Sequence, residues 1–309
     1  MGLFDLFKKK EVYVLPANYA GVITEAEYNL IINISKEYHA EKEIKIIKIG
    51  EGEIVAQDTD GEEQHKYLDN LVKVLSANEK QLWKDLIYGH FDKGRINKSA
   101  YNYLFKDFEY AAQFLRVLLK SSASAIQDKI TDLVCRTDLP NVNTYLVLEF
   151  ENQFRYFRHQ DIIEWERPID ELFEIALENT PLNEIEVKEC EFGDKFTVYA
   201  IFSGDFAASL VLDLKTHLAF AIGTYGSLVA IPTKGTAFVH PIETGDILQL
   251  VEELSEAVYK FHSEDVGSIV TDFYWYYNDK FEIFPTGQTE KGWYIRMPDT
   301  LIEIFKPLN

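Results

Sequence analysis

The stretch Gly223-Thr-Tyr-Gly-Ser-Leu-Val-Ala-Ile-Pro-Thr-Lys-Gly-Thr-Ala-Phe-Val-His-Pro241 is the most informative part of this 309-residue chain. Two short runs of apolar and β-branched residues flank Lys234-Gly235, and glycine and proline bound the stretch at its ends. Apolar runs closed by chain-reversing residues are typical of buried antiparallel strands joined by a tight turn. The stretch therefore predicts a core β-hairpin, and it contains no nucleophile, metal-ligand or phosphate-binding pattern.

Length and composition indicate a globular protein with an unusual charge. A chain of 309 residues corresponds to about two domains of roughly 150 residues each. The 51 Asp and Glu residues exceed the 31 Lys and Arg residues, which gives a net charge of -20. Such a charge repels nucleic-acid phosphate, so nucleic acid is not an expected partner. Two interpretations stay open: the charge maintains solubility, or it forms an acidic face for a basic partner.

Cysteine usage and hydropathy predict a cytoplasmic location. Cys135 and Cys190 are the two cysteines, too few for a disulfide framework and too far apart for a Cys-x-x-Cys motif. No unbroken apolar run exceeds five residues, whereas a membrane span needs about 20. We therefore expect no membrane span.

The first ten residues carry a very short apolar stretch followed by Lys8, Lys9 and Lys10. This order is the reverse of a secretory signal. Leu6 stands where a myristoylation motif requires Ser or Thr. A helix here would place Leu3, Phe4 and Phe7 on one face, so weak attachment to an anionic surface is an open alternative.

The first part of the chain predicts a helix, a hairpin and further helices. A helix is predicted over 23–35 with Thr24 as its N-cap, and Glu27 three residues later completes a capping box. Strands over 43–49 and 53–57 flank a glycine turn, and amphipathic spacing predicts helices near 68–75, 82–87 and 101–120. The serine-rich segment 121–124 is the predicted linker. We therefore predict an N-terminal α+β domain over 1–124 and a C-terminal α+β domain over 125–309.

The second part repeats the order of hairpin and helix. Strands are predicted over 145–150, 154–157, 184–190, 196–202, 218–222, 228–231, 236–240, 268–277 and 280–284. Helices are predicted after Pro168, from Asp205 and over 247–261. Neighbouring strands joined by tight turns and separated by single helices predict an α+β fold, with two subdomains whose antiparallel, hairpin-built sheets are covered by helices.

Four short motifs resemble the bacterial family named domain of unknown function 1444. Leu133-Val-Cys-Arg-Thr-Asp-Leu-Pro140 is similar to that family's Val-x-Arg strand entry, and Val229-Ala-Ile-Pro232 to its late Pro strand. Gly204-Asp-Phe-Ala-Ala-Ser-Leu210 resembles a helix start of the family, and the segment 272–284 resembles its closing hairpin. The resemblance covers about residues 23–284 and implies a bacterial, cytoplasmic protein.

The chain departs from that family at three places. Ala207 and Leu210 replace an acidic residue and an arginine, and the Lys234-Gly235 turn replaces an aspartate. A divergent member is implied, and any polar site of the family at these positions would be partly lost. Because the family's name records no established activity, the resemblance implies no chemistry.

The usual site motifs fail, so we predict no catalytic, cofactor-binding or metal-binding residue. An EF-hand frame around Gly61 would put Ala56 first and Tyr67 twelfth, where carboxylates are needed, so an acidic turn leading into a helix is the better interpretation. The seven His residues show no metal-pair spacing. Ser203 and Ser227 lack the Gly-x-Ser-x-Gly frame, and no phosphate-binding loop is present.

Two groups remain as candidate contacts with a partner or a pocket. Arg136 and Asp138 lie two apart on a predicted strand and share a face, as a structural ion pair or as part of a polar pocket. Strand alternation places Tyr274 and Tyr276 on one face and Trp275 on the other. These aromatic residues either lie under cover on both faces or form an exposed tyrosine patch of the kind enriched in binding hot spots.

Two classes of function follow, and a purely structural role is a third. The first is a non-enzymatic protein-binding module, of an adaptor or toxin-neutralising class, whose acidic surface steers a basic partner. The alternative is an enzyme with a carboxylate, Tyr and Arg site in a cleft between the two halves.

Overall fold

The structure is a computed structural model that describes residues 12–50, 52–57, 63–93, 107–124, 132–150, 153–193, 195–265, 267–289 and 292–305. The chain divides into two compact units, Met1–Arg95 with Glu264–Val266 and Ile96–Ser263 with Gly267–Asn309. Both units combine helices with antiparallel strands, so the predicted α+β fold with hairpin-built sheets is confirmed. The N-terminal lysine segment lies outside the described residues.

The first unit packs helices against a three-stranded antiparallel sheet. Helix α1 (Glu25–Glu41) is followed by β1 (Lys45–Gly50), β2 (Glu53–Gln57) and β3 (Glu63–Tyr67), in the order β1-β2-β3. Helices α2 (Asp69–Ser76) and α3 (Trp83–Lys93) complete the unit. The acidic turn predicted near residue 60 lies outside the described residues, and a strand rather than a helix follows it.

The start of α1 agrees with its prediction. The Thr24 side chain accepts a hydrogen bond from the Glu27 amide, and the Glu27 carboxylate accepts one from the Thr24 amide. Two of the orphan N–H groups at the helix start are therefore satisfied. Helix α1 extends six residues beyond the predicted end because its buried face continues through Tyr38.

The second unit begins with a short helix and a four-stranded sheet. Helix α4 (Phe108–Ala112) precedes β4 (Leu115–Ser121), β5 (Cys135–Leu139), β6 (Val142–Phe150) and β7 (Gln153–Tyr156). β6 pairs with β4, β5 and β7. Helices α5 (His159–Ile162) and α6 (Ile169–Glu178) follow, and α6 packs on the sheet through Leu172 and Phe173.

The helix predicted over 101–120 is wrong. Among its described residues, the structure has the short helix α4 and then strand β4, which pairs with β6 over seven residues. β4 is buried on both faces, so its apolar residues do not alternate strictly and Leu115, Leu118 and Leu119 also fit helical spacing. The domain boundary predicted at 124 assigns β4 to the N-terminal half, whereas β4 hydrogen-bonds to a strand of the second unit.

A six-stranded antiparallel sheet forms the centre of the second unit. It contains β8 (Glu186–Phe192), β9 (Phe196–Phe202), β10 (Ser227–Thr233), β11 (Thr236–Pro241), β12 (Phe273–Tyr277) and β13 (Lys280–Phe284). Their order is β13-β12-β10-β11-β9-β8. The predicted hairpin around Lys234-Gly235 is confirmed as β10 and β11, and every residue of β10 is buried.

Each face of this sheet has its own core. One face packs beneath the 3-10 helix Ala207–Asp213 and helix α7 (Leu214–His217), with Ile201, Val229 and Tyr274 in the same cluster. The other face packs beneath α8 (Ile247–Glu264), with Val198, Leu228 and Trp275. A hairpin of β14 (Thr286–Thr289) and β15 (Gly292–Ile295) and helix α9 (Asp299–Phe305) end the described chain.

Two predictions after β9 are wrong in detail. The predicted helix from Asp205 is the 3-10 helix Ala207–Asp213, and its N-cap residue is Phe206 rather than Asp205. The predicted strand over 218–222 is a 3-10 helix, Ala219–Ala221. In both segments the turns bury small and apolar side chains on the sheet, and this packing overrides local propensity.

Candidate functional site

Arg136 and Asp138 form the ion pair that strand alternation predicts. The Arg136 Nε lies 3.0 Å from Asp138 Oδ2 on β5, and both side chains are partly buried. The guanidinium carbon lies 4.5 Å from the centroid of the Phe173 ring, which belongs to α6. A partly exposed pair contributes about 1 kcal/mol at most, and the cation–π contact adds a similar amount. The ion pair and the ring contact therefore stabilise the packing of α6 on β5.

Tyr274 and Tyr276 are buried and do not form an exposed patch. Both are buried in the core on one face of the central sheet. The Tyr274 hydroxyl donates to the backbone oxygen of Pro140 at 2.8 Å, and the Tyr276 hydroxyl donates to Asp279 Oδ1 at 2.8 Å. Burial raises the pKa of both hydroxyls well above the ordinary value, and nearby Asp carboxylates raise it further. Both phenols therefore remain protonated donors at neutral pH.

Trp275 occupies the opposite face, as alternation predicts. Its ring is buried in the second core and stacks on Tyr277 with 5.1 Å between ring centroids. Its indole N–H donates to the backbone oxygen of Tyr225 at 2.7 Å. The aromatic strand β12, which lies between β13 and β10, is therefore buried on both faces and presents little surface to a partner.

The segment 204–210, which carries part of the family resemblance, meets the Lys234-Gly235 turn, where the chain departs from that family. The buried ammonium group of Lys234 lies 3.1 Å from Asp205 Oδ1, and the Ala208 amide donates to the Lys234 carbonyl at 3.0 Å. Ser203 and Gly204, just before Asp205, have φ values of 74° and 77°. The sequence identifies Lys234 only as a turn residue, and no local signal predicts its burial, because Asp205 lies 29 positions away.

A second cluster of charged side chains contains Arg116 on β4, Glu149 on β6, and the more distant Glu184 and Asp205. Arg116 Nε lies 3.0 Å from Glu149 Oε2. Burial raises the pKa of Glu149; the charge of Arg116 opposes that rise, whereas those of Glu184 and Asp205 add to it. A carboxyl group with a raised pKa among other charges is a feature of acid–base sites, although structural ion networks share it.

Polar groups in the first unit serve its packing. His65 Nδ1 lies 2.6 Å from the buried Glu53 carboxylate and so links β3 to β2. The Tyr19 hydroxyl donates to Asp69 Oδ1 at 2.9 Å, which ties the 3-10 helix Ala17–Tyr19 to α2. Within the described part of the chain, no cluster of His, Cys, Asp and Glu could hold a metal ion. Cys135 and Cys190 are both free thiols.

Strand β8 is the most accessible regular element of the central sheet. It lies at one end of the strand order, and its only neighbour among the described residues is β9. Five of its seven residues are exposed, on both faces of the sheet; they are Glu186, Val187, Lys188, Glu189 and Glu191. An edge strand presents a row of backbone donors and acceptors that can pair with another chain.

One face of β8 carries an apolar patch beside two carboxylates. Val187, Glu189 and Glu191 share this face by alternation, and Glu189 pairs in register with Tyr199 of β9. The Tyr199 ring contacts Phe220, with 4.7 Å between ring centroids, and Phe220 is 56% exposed. The segment 184–190 was predicted as a strand, and the charges on both faces of β8 are the signal that could have identified it as an edge.

Neither a protein-family model, a curated protein nor a solved structure matches this chain. The resemblance to the family of unknown function 1444 therefore remains a prediction from four short motifs. No helix in the described part of the chain is both long enough and apolar enough to cross a membrane.

Proposed function

We propose that this chain is a non-enzymatic protein-binding module, of an adaptor or toxin-neutralising class, that captures a basic partner through its acidic surface. The observation that carries the proposal is strand β8, an open edge with exposed glutamates and a neighbouring apolar patch. Interfaces combine an apolar centre with a polar rim, and this surface has both parts. A reduced, cytoplasmic setting and a bacterial source are part of the proposal.

The charge of the chain supports this class of partner. If every Lys and Arg paired with one carboxylate, 51 minus 31 would leave 20 carboxylates without a basic residue. An acidic field of this size accelerates the encounter with a positively charged protein and repels acidic ones. The attraction weakens as salt screens charges more than about 8 Å apart at physiological ionic strength.

Capture of partners by the full-length chain at low and high salt tests the proposal. We expect retention of one or a few basic proteins near 50 mM salt and at least a tenfold loss of retention near 500 mM, because the Debye length falls from about 14 Å to about 4 Å. Retained proteins without a basic bias, or retention that salt does not change, would contradict the proposed function.

The enzyme alternative is favoured by one observation, the raised pKa of Glu149 beside Arg116 and near Glu184 and Asp205. A carboxyl group whose pKa is raised is the kind of group that serves as a general acid. A panel of chromogenic ester, phosphate and glycoside substrates separates the two functions. The alternative predicts turnover that Glu149→Gln abolishes, whereas the binding module predicts no turnover by the unmodified chain.

A further inference from the structure

We propose that the open edge of β8 is the docking site and that its occupant is an extended, arginine-bearing segment of the partner, added as a seventh strand to the central sheet. This inference rests on the proposed binding function and specifies its surface, its mode and the chemistry of its partner.

The backbone of β8 is suited to strand addition. All seven residues of β8 pair with β9 in unbroken register, from Glu186 with Phe202 to Phe192 with Phe196. The strand contains no proline and no bulge, two of the devices that block an edge against any added strand. Main-chain hydrogen bonds give affinity in such complexes, and alternate side chains give specificity.

The side chains beside this edge select the occupant. On the face of Val187, an added strand would place its own side chains next to Glu189 and Glu191, with the exposed Phe220 ring close by. Glu189 lies opposite Tyr199 in the register, and its charge adds to the rise that burial causes in the pKa of the Tyr199 hydroxyl. A carboxylate beside two aromatic rings is a favourable setting for a planar cation.

Arginine fits this setting better than lysine. A guanidinium group can bind a carboxylate through two parallel hydrogen bonds and can stack on an aromatic ring, whereas an ammonium group is a strongly hydrated point charge. Arginine residues at alternate positions of an extended segment fall on one face. Two of them would reach Glu189 and Glu191, and an apolar residue would cover Val187.

The same charges exclude a second copy of this chain as the occupant. Two β8 edges brought together would place three exposed glutamates and one exposed lysine, Lys188, of each copy in one ladder. Glutamates therefore outnumber lysines, and like charges directly opposite destabilise strand pairs. The net charge of -20 on each copy adds long-range repulsion. The charges of the edge therefore repel a second copy of this chain and attract a basic segment. Repulsion of the wrong partner is one of the ways in which an interface becomes specific.

Fluorescence anisotropy with synthetic peptides tests the inference on the full chain. The probe is a labelled peptide of about ten residues, since β-addition uses short segments, with Arg at every second position and Val or Thr between. Two control peptides carry N-methyl groups on the odd or the even backbone nitrogens. Alternate N–H groups of a strand point to the same side, so at least one methylated peptide must lose its backbone pairing.

The protein variants are a charge reversal at the edge and a matched reversal elsewhere. Glu189→Lys with Glu191→Lys should weaken binding of the arginine peptide by about tenfold or more, the scale of close charge pairs across interfaces. Glu252→Lys with Glu256→Lys changes the net charge by the same amount on exposed positions of α8, which packs on the opposite face. This control should change the affinity by less than about threefold.

The outcomes separate the docking mode from the proposed function. Loss of binding in the edge variant and with a methylated peptide, with little change in the α8 control, supports strand addition. Equal loss in both double variants, or full binding of both methylated peptides, overturns it. Absence of binding to the unmodified chain also overturns it. If the edge variant still captures the partner in a salt-dependent way, the binding function holds and only the docking mode is wrong. If the unmodified chain shows no salt-dependent capture, the proposed function is wrong as well.

Discussion

Gly226, just before the hairpin of β10 and β11, allows a direct test of the fold by substitution. It has a φ of 86°, a conformation that favours glycine, and it lies where β10 meets β12. A Cβ atom at this position would overlap the carbonyl oxygen of Tyr276, well inside the 3.0 Å that real Cβ contacts keep. Gly226→Ala should therefore strain the backbone and push apart two central strands.

The size of the effect follows from two contributions. The left-handed conformation costs an alanine about 1–2 kcal/mol relative to its usual regions. The backbone displacement adds about 1–3 kcal/mol, as for overpacked cores. We expect a loss of about 2–5 kcal/mol in the free energy of unfolding, or a fall in Tm of roughly 10 °C for a unit of about 210 residues.

Calorimetry and urea unfolding measure this loss in the second unit. Gly245→Ala is the matched control because no atom lies within 4 Å of its Cβ position and its φ is not positive. It should change the stability of the same unit by less than about 1 kcal/mol. If Gly226→Ala unfolds within 0.5 kcal/mol of the unmodified chain, the limit of ordinary surface substitutions, the geometry of the central hairpin is refuted.

Three further predictions test particular contacts. Burial lowers the pKa of His39, so its contribution to stability is full above the unfolded pKa near 6.5. As the pH falls from about 6.5 toward the lower folded pKa, the unfolded chain binds a proton that the folded chain does not, and this contribution falls by up to about 1.4 kcal/mol per pH unit. Urea unfolding at pH 5 and 8 should therefore show a smaller acid loss in His39→Phe, and an equal loss would contradict the burial. Thr24→Ala should cost about 1 kcal/mol by thermal unfolding, and no change would argue against the capping box. Tyr274→Phe leaves the Pro140 carbonyl without its donor and should cost about 1–3 kcal/mol, whereas neutral behaviour would disprove the hydrogen bond.

The features that were predicted correctly are those that neighbouring residues determine. The capping box at Thr24, the alternation around Lys234-Gly235 and the face assignment of Tyr274 and Trp275 all come from neighbouring residues. The ion pair of Arg136 and Asp138 follows from alternation on a single strand. These features form where the local preference agrees with the packing.

Features that depend on distant partners could not be predicted. Strand β4 is covered on both faces, so its apolar run fits a helix as well as a strand, and only pairing with β6 decides between them. The contact of Lys234 with Asp205 joins segments that the sheet order brings together. The position of β8 at the edge likewise depends on the order of six strands, although its charges on both faces indicate exposure.

The most direct test of the central claim is amide hydrogen exchange of residues 186–192 with and without the arginine peptide. In the free chain, the outward-facing amides of β8 have no paired strand on that side among the described residues, so they should exchange rapidly. Strand addition predicts that these amides become protected when the peptide binds, while those of the α8 helix do not change. Protection confined to other segments, with β8 unchanged, would contradict the account.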